Sequence, residues 1–272
     1  MFAWRSSVRV AAIAAAALFV GSVPAGADQA LTDAYAPTGK LRAVINVGNA
    51  VLALRSSPDA PASGISVDIA QELGKRLGVA VEPIVVTSAG QAVALVNSGK
   101  ADIGFFAIDP KRAEGIAFST PYVSIEGAYL VRQDSPLTRN DEVDRSGIRI
   151  VVGLNSAYDL FLTREIKSAT LVRTPTSAVV VATFMEQKLE VAAGVRQQLE
   201  ADAKRVSGLR FLPGRFMVIH QAMGIAKDRN PIAHVHLTRF VEEMKASGFV
   251  ASAITKHNIS GVGVSAPGPA AP

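Results

Sequence analysis

GKADIGFFAIDPKRAEGIAFSTPY, residues 99–122, contains an apolar run from Ile103 to Ile108 that is short enough to be a buried strand. Asp109-Pro110 follows it and suits the N-cap and first position of a helix. Arg112 then falls at the third helical position, where a cation faces the positive end of the helix dipole at a cost of a few tenths of a kcal/mol up to ~1. Helix formation therefore gives no reason for Arg112. An anion does, because an arginine fork and the free amides of a helix start can hold one carboxylate together. An arginine leaning outward into water is the alternative, and the segment alone leaves both open.

Working outward, the segments on either side alternate between strand and helix. Lys40 to Val47 forms a first strand broken by Gly48-Asn49. Ser66 to Leu77 places Ile69, Leu73 and Leu77 on one helical face, with Ser66 as N-cap and Gly78 as terminator. Val79 to Val86 is a second strand, and Ser88 to Gln91 has capping-box spacing ahead of a helix with Ala92, Leu95 and Val96 inward, closed by Gly99. After Tyr122, Ile125 to Arg132 is a long strand leading away. The order then repeats: a strand at Ile148 to Val152, a capping box at Ser156 to Asp159, a strand at Leu171 to Arg173, a helix at Ser177 to Leu189, and a strand at Val191 to Val195. Lys188-Leu189-Glu190 enters that last strand much as Lys100-Ala101-Asp102 enters the earlier one. Phe216 to Ala226 is long enough to return to the first unit. Asn230-Pro231 opens a helix carrying Val235, Phe240, Val241 and Met244, stopped by Gly248, and a short helix ends near Asn258.

This pattern predicts two α/β lobes, each with a mainly parallel sheet, joined by two hinge strands. Lobe 1 comprises residues 39–128 plus 225–259, and lobe 2 residues 129–224. Ligands of open parallel sheets sit beyond the carboxyl ends of the strands, so the expected site is a cleft between the lobes, with helix starts at Pro110 and Ser156 facing each other.

At the amino end, Arg5 and Arg9 precede an apolar run from Val10 to Val20 and then Ala25-Gly26-Ala27, a small-x-small cleavage pattern. Residues 1–27 are read as a secretory signal peptide cleaved after Ala27, and the run is too short to span a bilayer, which takes about 20 residues. Residues 28–38 are expected to be a flexible lead-in and residues 260–272 a disordered Gly/Pro/Ala-rich tail. The net charge of +5 is modest, and the basic residues are scattered, which points to neither nucleic acid nor an anionic membrane as partner. With no cysteine, the fold rests on its hydrophobic cores.

From Gly39 to about Ile259 the chain resembles the bacterial extracellular solute-binding proteins of family 3, periplasmic receptors that feed polar amino acids and related solutes to ABC transporters. The resemblance rests on Gly39-Lys40-Leu41-Arg42, the run from Gly64 to Ala70, Ser98-Gly99-Lys100-Ala101-Asp102, the run from Asp109 to Glu114, and Phe118-Ser119-Thr120-Pro121-Tyr122, in order and spacing. It implies a two-lobed type II periplasmic-binding-protein fold, a periplasmic location, a membrane permease of an ABC transporter as partner, a monomeric state and no cofactor or metal.

The same resemblance places Arg112 where the family binds a ligand carboxylate, and Ser156 and Ala157 where amides and a hydroxyl complete that site. Ser156 serves equally as an N-cap, with its amide left free. Asn46 and Asn49 lie where the family lines its cleft, although a turn asparagine explains Asn49 as well.

Other positions depart from the family. Amino-acid binders pair the ligand ammonium with an aspartate at the position that is Val195 here. A small hydroxyl or glycine carbonyl before the arginine is replaced by Phe105, Phe106 and Ala107, and an aromatic-rich turn by Val51-Leu52-Ala53-Leu54. A buried ammonium without an anion costs several kcal/mol. The expected ligand is therefore a small carboxylate whose amino group is absent, modified or recognised differently. Glu126, on the outgoing hinge strand, is a candidate for that different recognition, with an arginine or backbone contact as its alternative. Tyr158 and Phe105 or Phe106 are candidates to pack the ligand body, or are simply core.

An enzyme finds little support. His234 and His236 are two apart on a helix and cannot form an adjacent metal pair, and there is no G-x-S-x-G elbow, phosphate loop or cysteine nucleophile. Some proteins resembling this family are dehydratases of cyclic carboxylates that use an acidic residue in the cleft. A cyclohexadienyl-dehydratase-like activity through Glu126 is the alternative to a receptor.

Overall fold

The computed structural model describes residues 25–268. Helix α1 (Ala25–Tyr35) leads into strand β1 (Lys40–Asn46), helix α2 (Ile65–Leu77), strand β2 (Ala80–Val86), helix α3 (Ala89–Asn97) and strand β3 (Gly104–Ala107). The long strand β4 (Ile116–Arg132) follows, then β5 (Arg149–Gly153), α4 (Ala157–Glu165), β6 (Thr170–Thr174), α5 (Val180–Glu186), β7 (Val191–Val195), α6 (Arg196–Ala203) and β8 (Leu209–Phe211). The chain returns through β9 (Met217–Ala226) to α7 (Pro231–Ala246), α8 (Phe249–Lys256) and β10 (Gly263–Val264).

Two lobes result. In the first, β1 and β2 pair in parallel, and a parallel bridge from Ala43 to Ile103 carries the layer on to β3. In the second, β5 lies parallel to both β6 and β7. The hinge strands run antiparallel to their neighbours, with β9 between β3 and β4, and β4 continuing into β7. One eight-stranded sheet thus runs in the order β3-β9-β4-β7-β5-β6, with β8 and β10 also on β4, antiparallel except around β5, while β1 and β2 form a separate parallel pair. The seventeen-residue β4 belongs to both lobes without a break. Among the described residues no helix is long and apolar enough to cross a membrane.

The local signals in the sequence mostly act as physics requires. Gly78 ends α2 with φ at 69°, the left-handed region that a glycine enters without a Cβ clash. Ser88 Oγ accepts from the Gln91 amide and Ser156 Oγ from the Asp159 amide, each satisfying a donor that a helix start leaves without a partner. The strand entries share one device. Asp102, fully buried, takes the Arg42 amide and Nε on one oxygen and Arg42 Nη2 on the other, at 2.7–2.9 Å. Glu190 does the same for Arg149, with contacts of 2.8–2.9 Å, and this pairing holds the Glu190 carboxyl below its usual range. An acidic residue just ahead of the incoming strand therefore clamps the first turn of the central strand in both lobes. Arg229 adds a second cation on Asp102 at 3.0 Å, tying in the start of α7.

Several expectations are corrected. The lead-in at residues 28–38 is largely the helix α1, whose last residue, Tyr35, is fully buried and donates to Ala233 O at 2.8 Å. The tail pairs too: Gly263 and Val264 lie against Ser124 and Val123 of β4, and Ser265 N donates to Tyr122 O. Residues 1–24 of the expected leader and residues 269–272 of the tail lie outside the described residues, and residues 25–27 open α1. Ser66 is buried inside α2, whose N-cap is Gly64. Val235 faces outward on α7, and Ala233 and Leu237 point to the core in its place.

The helix expected at Pro110 is a single 3-10 turn over Arg112–Glu114. Only eight residues separate β3 from β4, which leaves no length for an α-helix. Helix α6 and strand β8 had no expectation, because α6 buries only Leu199 and Asp202 and so carries no apolar period.

Removing one member of a buried, hydrogen-bonded charge cluster leaves the others unpaired, at roughly 3–5 kcal/mol. Asp102→Asn is therefore expected to lower the unfolding free energy by about 3 kcal/mol in urea melts, whereas an exposed change such as Lys111→Gln leaves it within about 0.5 kcal/mol.

Candidate functional site

The cleft lies between the lobes where β3, β9 and the starts of α3 and α4 converge. Arg112, in the 3-10 turn after β3, is 5% exposed and points into it. Its Nη1 donates to Ala107 O and its Nη2 to Asn155 O in the opposite lobe, each at 3.0 Å. Among the described residues no carboxylate lies within salt-bridge distance of this guanidinium. Burial pushes its pKa down to about 10, with Asp109 acting weakly the other way, so it remains charged at neutral pH. A cation held charged against desolvation at roughly 3 kcal/mol, with only neutral carbonyls to satisfy it, is suited to receive an anion.

The opposite wall is built around Asp159. Its Oδ2 accepts from the Asn155 amide at 2.8 Å, and its Oδ1 from Arg173 Nε at 2.9 Å. These contacts hold Asn155 in the left-handed region, φ 58°, which asparagine tolerates better than most residues. The Asn155 carbonyl is thereby aimed across the cleft at Arg112.

Ser156, Ala157 and Tyr158 all line the cleft. The Ser156 amide, expected to be free, donates to Gly153 O at 3.1 Å, so the open amides of this helix start begin at Ala157. The Tyr158 hydroxyl donates to Ser177 Oγ at 2.7 Å and forms part of the wall.

Of the other expected positions, Asn49, Phe105, Ala107 and Val195 also line the cleft. Asn49 Oδ1 additionally accepts from the Val51 amide, so its turn role and its cleft position coexist. Glu126 is not among the cleft residues. Its carboxylate is clamped by Arg196 Nε at 3.1 Å and Arg215 Nη1 at 2.8 Å, which hold it below the usual range. These are arginine contacts of the kind expected as the alternative for Glu126. No Asp or Glu lines the cleft, and no cluster of metal-ligating side chains occurs among the described residues.

Sequence reasoning missed the start of α3. Ser88 and Ala89 line the cleft on the lobe 1 side, where a helix start had been expected from Pro110. It also missed Gln198, Ile219 and Gln221. The signal for Gln221 was present, as an amide inside the apolar run of β9.

The lobes also touch at the rim. Asp109 Oδ2 and Arg164 Nη1 are 2.9 Å apart, with the Asp109 side chain only 4% exposed. A Cβ added at Gly90 of α3 would sit 3.2 Å from the Asn155 side chain, so the helix start in lobe 1 packs directly on the loop of lobe 2.

The model of the bacterial extracellular solute-binding proteins, family 3, matches residues 48–259. The chain belongs to that family.

No curated protein matches this family member. Among solved structures, a mutant of ArgBP from T. maritima is 18% identical, with 84% of this chain and 99% of that chain covered and a TM-score of 0.71. The amino acid ABC transporter substrate-binding protein AbpA from Streptococcus pneumoniae, bound to L-arginine, is 18% identical over 83% of this chain and 97% of that chain, with a TM-score of 0.70. An ancestral amino acid-binding protein described as a precursor of cyclohexadienyl dehydratase is 19% identical over 83% and 98% of the two chains, with a TM-score of 0.68. At these identities the likeness establishes the type II periplasmic-binding-protein fold.

The Asp109–Arg164 contact bridges the lobes near the arginine. Arg164→Ala is expected to increase the radius of gyration of the ligand-free protein in small-angle scattering. Scattering identical to that of the parent would show that the pair does not hold the lobes together.

Proposed function

We propose that this solute-binding protein captures a small carboxylate lacking an α-ammonium group and, once closed around it, is recognised by the permease of an ABC transporter. The observation that carries this reading is the buried Arg112 guanidinium, which faces a cleft lined by no acidic residue. A carboxylate arriving on lobe 1 meets Arg112 first, and the open amides at Ala157 and Ala89 approach it as the lobes close. The ligand stabilises the closed form by as much as it binds that form better than the open one. Phe105, Leu52 and Val180 supply apolar surface for the rest of the molecule.

The absence of an acidic partner sets the ligand class. Val195 occupies the position where amino-acid binders of the family carry an aspartate, and a buried ammonium beside it would lose several kcal/mol of hydration without return. A dehydratase would need an acid in the cleft, and the candidate for that role, Glu126, is engaged with Arg196 and Arg215. The reading also takes residues 1–27 as an export signal, the mature protein as a periplasmic monomer, and residues 39–128 plus 225–259 and residues 129–224 as the two moving bodies.

Arg112→Met keeps the length of the side chain and removes its charge. Loss of a buried charge-assisted partner costs roughly 2–5 kcal/mol, or about 30-fold to several thousand-fold in affinity. Calorimetric titration with the carboxylate that most raises the melting temperature of the parent should show this loss. The ligand-free variant should melt at or above the temperature of the parent, because an uncompensated buried charge has been removed. Near-parental affinity would refute the assignment.

A further inference from the structure

Gln221 lies in the interior of β9, hydrogen-bonded between β3 and β4, where its register partners are Ala107 and Val123. It is 4% exposed and lines the cleft. Its side-chain amide makes no hydrogen bond to any described residue, and its polar atoms keep some access to the open cleft. A ligand that fills the cleft and expels its water would cost this amide roughly 1–3 kcal/mol unless it offers the amide a partner. The neighbouring Ser119 is by contrast fully paired: its hydroxyl donates to Thr120 O and accepts from the Met223 amide.

The position of Gln221 indicates what the partner would be. Directly opposed residues of an antiparallel pair place their side chains on one face, with Cβ atoms about 4.5–5.5 Å apart. The Gln221 amide therefore adjoins the methyl group of Ala107, whose carbonyl holds Arg112 Nη1. Ala107 itself offers no side-chain donor or acceptor. On the reading that Arg112 takes a carboxylate, Gln221 is the polar side chain carried by the register partner of Ala107, the residue whose carbonyl anchors Arg112.

A carboxamide is neutral and both donates and accepts. It satisfies a hydroxyl or a keto oxygen, and it gives an ammonium no counter-charge.

We propose that Gln221 determines ligand specificity by hydrogen-bonding the α-oxygen of a 2-oxo or 2-hydroxy carboxylate held on Arg112. This inference rests on the carboxylate reading of the cleft and narrows it to a chemical class.

The test uses matched triplets of one carbon skeleton: the 2-oxo acid, the 2-hydroxy acid and the unsubstituted acid, in four- to six-carbon aliphatic and phenyl-bearing series, titrated calorimetrically into the parent and Gln221→Met. The parent is expected to favour an α-oxygenated member over its unsubstituted counterpart by about 10-fold, the worth of one buried hydrogen bond. Gln221→Met should reduce that preference to about 3-fold or less while still binding the unsubstituted acid. Gln221→Glu, which places an anion at the same point, should weaken the oxo acid and strengthen the matching α-amino acid.

If the parent shows no preference, or if the preference survives in Gln221→Met, the inference is overturned and the carboxylate reading stands. If no carboxylate of any triplet binds the parent, both fall. Melting curves of the two variants separate loss of preference from loss of fold.

Discussion

A guanidinium enclosed between two lobes, with carbonyl oxygens for company and no carboxylate in reach among the described residues, is the constraint around which this molecule is arranged. Its charge survives at neutral pH although burial works against it. A soluble domain that needed only stability would do better with an apolar side chain at this position, because an isolated buried charge is among the most expensive features a fold can carry. The surrounding architecture nevertheless positions it with care. The short 3-10 turn projects Arg112 from the end of β3, and the Asp159 cluster turns the Asn155 carbonyl toward it from the other lobe. Two nine-residue helices begin at the same cleft, adding partial positive charge without a further cation.

The frame that makes this placement possible is a duplicated one. In each lobe an acidic residue entering one strand captures the amide and side chain of an arginine at the start of the adjacent strand, Asp102 with Arg42 and Glu190 with Arg149. These clamps pin the ends of the parallel strands remote from the cleft. The opposite ends, where the loops emerge, face the partner lobe. The hinge strands β4 and β9 link the two halves through an antiparallel ladder from Ile116 to Gly127 whose register shifts between Phe118 and Pro121 and again between Pro121 and Val123. Glu126, gripped by Arg196 and Arg215, stiffens that ladder near its lobe 2 end.

Much of this was legible in the amino-acid order because it depends on local chemistry. Apolar runs, helix-capping serines and terminal glycines mark the elements, whereas the helix start that singled out Arg112 is a lone 3-10 turn in the structure, so a helix dipole does not account for that residue. The parallel between Lys100-Ala101-Asp102 and Lys188-Leu189-Glu190 was visible as a pattern, while its cause, a clamp on an arginine some forty to sixty residues earlier, was not. What escaped depends on long-range contacts. Glu126 meets arginines 70 and 89 residues away, a pairing no spacing rule could give. Helix α1 owes its place to the buried hydroxyl of Tyr35 reaching α7, and the tail to the exposed edge of β4, so composition alone suggested flexibility for both. Pro110 carries a sound helix-start signal that the short connection to β4 overrides. Gln221 was hidden because an amide in a strand has no period to betray it, and its meaning depends on which residue lies across the ladder.

The chemistry of the cleft then follows from its charge. Among the described residues that line the cleft, one cation and no anion favour a ligand with net negative charge, and Val195 offers no counter-charge to an ammonium group. Calorimetric titration of the purified protein at pH 7 with a carboxylic acid and the α-amino acid of the same skeleton tests this most directly. The account predicts tighter binding of the deaminated acid by about 10-fold or more, whereas equal or tighter binding of the amino acid would contradict it.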